Sequence, residues 1–121
     1  MGKDILTIMD RVATSKSTHK TSCQMLANIM SKDVSNVLHG FFNALCRVLG
    51  TKKDNSQAQL LIKFLDSFLD FLHKKDSQLS NQLAEFLLDH LIVGIESGQK
   101  LVRVRVTQII FQLLKYLEEL E

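Results

Sequence analysis

Proline is absent from this chain of 121 residues, and glycine occurs only five times. So few turn-formers cannot serve the many tight reversals of an all-β domain this long. Tryptophan is also absent and tyrosine occurs once, so the 45% hydrophobic content falls mainly on Leu, Ile, Phe and Val, a composition suited to packed helical faces. Two cysteines, Cys23 and Cys46, are too few for a secreted disulfide framework and point to a reducing compartment. No segment reaches the roughly 18 apolar residues of a membrane span. The opening MGKDILTIMD has no apolar stretch of signal-peptide length, so a cytosolic or nuclear protein is expected. Leu6 stands where a myristoylation pattern beginning at Gly2 needs Ser or Thr. Catalytic motifs are lacking as well: there is no glycine-rich phosphate loop, no HExxH and no nucleophile elbow. A non-catalytic protein without a cofactor is expected. The length supports one packed core, and 23% charged residues fit a folded domain rather than a disordered one.

Apolar residues recur at helical spacing almost throughout. Ile5, Ile8, Met9 and Val12 predict a short first helix, ended by the polar run Thr14 to Thr18. Met25, Leu26, Ile29 and Met30 mark a second helix, stopping near Ser31. Asp33 suits the N-cap of a third, whose stripe runs from Val34 to Leu49 before Gly50. A fourth helix carries Leu60 to Leu72 and ends at His73, Lys74 and Lys75, where positive charge complements the helix dipole. A fifth starts near Ser77 or Ser80 and runs to the turn Ser97-Gly98; a sixth carries Val102 to Leu117. Phe64, Phe68, Phe86, Leu87, Ile109 and Leu113 are expected in the core, with His90 as an interlayer histidine. The broad apolar circumference of helices four and six predicts inner positions. Six helices with short connections imply about three antiparallel pairs, and a spacing of about 44 residues between pairs fits HEAT-like repeats. The expected architecture is therefore all-α: a HEAT-repeat-like α-solenoid over residues 1–121 as a single domain, with a compact helical bundle as the alternative.

Charge is unevenly distributed. Residues 1–53 carry eight Lys or Arg against Asp4, Asp10 and Asp33, a balance of +5, whereas the rest balances at −3. Such polarity allows a basic surface for a polyanion, or it is simply an uneven solvated surface. His19 and Cys23, four apart, share a helix face but lack a second pair of ligands, so no metal site is expected. Cys46, seven residues after His39 on a Phe-rich helix, reads as a small core thiol. Arg103 and Arg105 stand about 200° apart on a helix and cannot share a face. At least one is then structural, bonding across the turn toward Glu96, and the other packs or reaches a ligand.

The segment Gly94-Ile95-Glu96-Ser97, followed by Val102-Arg103-Val104-Arg105-Val106-Thr107-Gln108-Ile109-Ile110, resembles the G-x-E-S turn and V-R-F-R-V-x-Q-L-L helix near the N-terminus of the condensin subunit 3 (CAP-G) family of HEAT-repeat proteins. The likeness extends upstream through Phe41 to Leu49, Lys52-Lys53 and Lys63-Phe64, and more weakly to His19-Lys20. Val104 replaces the aromatic residue between the arginines, and Gly98-Gln99 stands where yeast-type members have proline and an acidic residue. The resemblance implies the N-terminal part of a longer solenoid, which with a kleisin segment forms a basic groove for double-stranded DNA. The kleisin and SMC subunits of condensin are the implied partners, in the nucleus and on mitotic chromosomes, with cytoplasm as an alternative location. Lys20, Lys52, Lys53 and Lys63 are the implied phosphate contacts, with Arg103 and Arg105 as DNA-binding or structural residues. Lysines in loops and near helix ends can reach phosphates without reading bases. No membrane or small-molecule substrate is expected. The rival function is a HEAT or armadillo protein-interaction scaffold that does not bind DNA.

Overall fold

The computed structural model describes residues 2–52 and 55–118, with side chains from Ile5 to Leu117. Among these residues the regular structure is entirely helical: α1 (Gly2–Thr14), α2 (His19–Lys32), α3 (Val34–Leu49), α4 (Asn55–Lys75), α5 (Ser77–Leu91) and α6 (Lys100–Glu118). Two 3₁₀ turns, Lys16–Thr18 and Ile92–Glu96, complete the order. The helices form antiparallel pairs of HEAT-like type, joined by short connections. Two compact units divide the chain, Met1–Phe68 and Leu69–Glu121.

In the first unit, α1 and α3 run in the same direction. Gly40 of α3 lies against the Ile5 side chain of α1, and further along both helices Arg47 Nη1 reaches Asp10 Oδ1 at 3.5 Å. A methyl group at residue 40 would occupy the space of Ile5 Cγ2, so glycine sets how closely these helices approach. The chain reverses into α2 at the Lys16–Thr18 turn. There the buried His19 ring is fixed by Nε2 to the Val12 carbonyl at 2.8 Å, and it meets the Phe64 ring edge-on with centroids 5.2 Å apart. Phe41 of α3 and Phe64 and Phe68 of α4 stack with centroids 5.8–5.9 Å apart, and all three are fully buried. Their burial contributes on the order of 1.5–3 kcal/mol each. These rings form core, leaving no face for stacking bases.

The second unit holds the end of α4, α5 and α6. Leu83, Ala84, Leu87, Val106, Ile109 and Leu113 are buried here, and His73 of α4 meets Tyr116 of α6 edge-on at 5.9 Å. The α-helical ladder of α5 stops at Leu91, earlier than the apolar spacing predicts, and tightens into the 3₁₀ turn Ile92–Glu96. Ile92, Val93, Gly94 and Ile95 are weak helix formers, through β-branching or the freedom of glycine. The tighter winding brings Gly94 so near α6 that a Cβ there would stand 2.8 Å from Val106 Cγ2.

Four burial expectations are corrected. Phe86 is half-buried rather than enclosed, and His90 is exposed, its Nδ1 2.8 Å from the Phe86 carbonyl and its ring 4.1 Å from the Phe86 ring. These two residues lie at the margin of the α5 apolar stripe, whose centre is Leu83, Leu87 and Leu91. Cys46 is exposed because α3 turns Ala44, Leu45 and Leu49 inward instead. The inner position expected of α6 is not what its exposure shows, since Val104 and Phe111 are 54% and 67% exposed.

Candidate nucleic-acid interface

The sequence places its cations mostly near helix boundaries, and the directions of the helices in the first unit bring several boundaries together. Arg11 lies in the last turn of α1, Lys16 in the following 3₁₀ turn and Lys20 in the first turn of α2. Arg47 is in the last turn of α3, and Lys52 follows in the connection to α4. Because α1 and α3 are parallel, and α2 and α4 begin where those two end, all five residues belong to one end of the unit. All five are exposed. Asp10 is the sole carboxylate at this end among the described residues, while Asp33 caps α3 at the opposite end.

A cleft of about 270 Å³ opens here between the end of α1, the end of α3 and the start of α4. Asp10, Thr14, Arg47, Thr51, Gln57 and Leu61 are among its walls. Thr14 Oγ1 donates to the Asp10 carbonyl at 3.0 Å, and Thr51 Oγ1 to the Arg47 carbonyl at 2.9 Å. The Thr51 hydroxyl thus serves one of the last carbonyls of α3, which lack intrahelical donors. Arg11 and Arg47 also complement the negative ends of the α1 and α3 dipoles, so each has a local structural role whatever else it binds.

Lys20, Lys52 and Lys63 form no ion pair with another described residue. Lys20 and Lys52 share the basic end. Lys63 is exposed on α4, ~12 Å along the axis from the helix start at 1.5 Å per residue, and is not part of that end. Lys53 lies outside the described residues. By contrast, Lys74 pairs with Asp70 at 3.1 Å and Lys75 lies over the Phe71 ring at 5.8 Å, so both already have local partners.

Arg103 and Arg105 diverge as their angular separation requires. Arg103 Nη1 donates to the Ser97 carbonyl at 2.6 Å, fastening the α5–α6 connection. The bond goes to that backbone oxygen rather than toward Glu96. Arg105 is 2% exposed and lies in the protein interior, where it engages further protein groups.

Burial raises the Cys23 thiol from 9.0 to about 11, and also raises Cys46. Neither is an activated nucleophile. Among the described residues no three His, Cys, Asp or Glu side chains gather as a metal site, and no helix is long and apolar enough to cross a membrane.

Arg11, Lys16 and Arg47 are absent from the residues that sequence reasoning singles out as phosphate contacts. Their positions beside helix boundaries are visible in sequence, but only the parallel course of α1 and α3 assigns them to one end.

The fold thus defines a class, helix-pair repeats of HEAT type with a cationic end, and no family model matches the chain. Over 114 residues, 94% of the chain, it is 27% identical to condensin complex subunit 3 of Schizosaccharomyces pombe. The chain spans 13% of that protein's length. The similarity is a distant and partial family link.

Proposed function

We propose that the chain is a HEAT-repeat element of a condensin-type subunit that contributes sequence-independent binding of duplex DNA, acting with a kleisin partner in mitotic chromosome condensation. One observation carries this reading: Lys20 and Lys52 stand at the same end of the first unit as Arg11, Lys16 and Arg47, facing a single described carboxylate. The match to a condensin subunit along 94% of the chain supports it. Lysines without ion-pair partners can exchange condensed counterions of DNA for direct phosphate contacts, and this term supplies non-specific affinity. The reading also extends to Lys53 and Lys63 as phosphate contacts, to SMC subunits as further partners, to a nuclear and chromosomal location, and to residues 1–121 acting as one domain within a longer solenoid. Arg103 is assigned to the fold, since its guanidinium is committed to Ser97.

The test is fluorescence anisotropy with an arbitrary 40-base-pair duplex across a salt series. If Lys20, Lys52, Lys53 and Lys63 each neutralise one phosphate, log K falls against log salt with a slope of about −3.6, at about −0.9 per contact. A flat salt response contradicts the mechanism.

A second reading, a protein-interaction scaffold, is favoured by Val93, Val104 and Phe111 of the second unit, all more than half exposed. Retained binding to a kleisin segment with no affinity for duplex at low salt selects this reading over the first.

A further inference from the structure

At the mouth of the cleft in the first unit, Arg47 and Asp10 hold each other in a loose pair. The contact joins one guanidinium nitrogen to one carboxylate oxygen at 3.5 Å, with the side chains 58% and 72% exposed. A guanidinium has five N–H donors in a planar fork, suited to bidentate contact with phosphate as well as carboxylate. Asp10 is its sole ion-pair partner among the described residues. Exposed pairs of this kind hold weakly and are screened by salt. Arg11, Lys16, Lys20 and Lys52 surround this end, so an arriving polyanion meets favourable potential on several sides and one opposing charge.

We propose that Arg47 is a reserve phosphate contact held by Asp10, and that Asp10 sets the affinity of this end for duplex DNA by competing with the phosphate backbone for the same guanidinium. This rests on the duplex-binding reading of the same end and adds to its four lysine contacts an arginine with its own internal competitor. No covalent bond is made or broken; the arginine exchanges a carboxylate for a phosphate. In the native protein the Asp10 charge largely cancels the contribution of Arg47. Neutralising Asp10 releases it.

The experiment measures duplex affinity by anisotropy at 0.15 M salt, where a Debye length of about 8 Å suppresses more distant effects. Asp10→Asn and Asp10→Ala should each tighten binding roughly three- to tenfold and steepen the salt slope by about 0.9, the increment of one contact. In an Arg47→Gln background the same Asp10 changes should tighten binding by less than about 1.5-fold, because the released group is missing. Unchanged far-UV circular dichroism checks that each variant keeps its helices; the Thr14 bond to residue 10 uses the backbone carbonyl and survives both substitutions. A gain kept in full without Arg47 overturns the proposal, as does unchanged affinity of the Asp10 variants while the native protein binds duplex normally. In both cases duplex binding itself stands. If neither the native protein nor the variants bind at 50 mM salt, the duplex reading fails and the exchange falls with it.

Discussion

A thiol reports packing most directly where it is enclosed, and the two cysteines differ in this respect. Cys23 is buried on α2 and Cys46 is exposed on α3. At pH 8 a maleimide should label Cys46 in the native state and spare Cys23 until denaturant is added, as followed by intact mass. The Cys23 thiol ionises in the unfolded chain near its ordinary 9.0 but in the fold only near 11. Its contribution to stability is therefore complete below pH 9 and is lost as pH rises through 11. Urea midpoints for the native protein and Cys23→Ala should converge across that interval, by the part that comes from thiol ionisation. Truncating Phe64 to Ala should cost about 3–5 kcal/mol, since it removes a ring stacked on two others. Phe86→Ala should cost less, about 1–2 kcal/mol, because the ring is only half-buried; equal losses in chemical denaturation would contradict this ordering. Sequence spacing locates both phenylalanines on apolar stripes. It does not separate the centre of a stripe from its margin, because that depends on which neighbouring helix covers each side.

At the scale of elements, two joints repeat the same construction. Asp33 between α2 and α3, and Asp76 between α4 and α5, are single-residue connections 43 residues apart. Each aspartate amide closes the preceding helix, on Ile29 at 2.8 Å and on Leu72 at 2.6 Å. Each carboxylate accepts from the following helix, from the Asn36 amide at 3.2 Å and the Gln78 amide at 3.0 Å. Asp33→Ala and Asp76→Ala should each lower stability by about 0.5–2 kcal/mol, with Asn restoring most of the loss in thermal unfolding. The Asp33 cap is legible in the sequence because aspartate precedes an apolar-periodic run. The early end of α5 is less so, since the apolar spacing continues through Ile92 and Val93. The tighter turn that follows Leu91 sets Gly94 close against Val106, a tertiary contact between residues of different helices that the spacing does not show.

For the whole molecule, the basic first half of the sequence gathers at one end of the first unit only through helix direction. The count of +5 is in the sequence; that Arg11, Lys16, Lys20, Arg47 and Lys52 belong to one end follows from α1 and α3 running parallel. Reversing the charges of Lys52 and Lys53 together should leave stability within about 0.5 kcal/mol and weaken duplex binding at least tenfold, about 1.4 kcal/mol. The same reversal at Lys74 and Lys75 should weaken binding less, because Asp70 and Phe71 already engage those lysines. Equal losses in the two anisotropy titrations would mean diffuse attraction rather than a localised contact surface. The one-residue joints carry a further consequence for growth of the chain by duplication. The segment Asp33–Lys75 begins with its own cap and ends where the next aspartate takes over. A copy inserted in frame ahead of Asp76 would bring both of its seams with it, while a copy begun two residues later would enter its first junction without a cap.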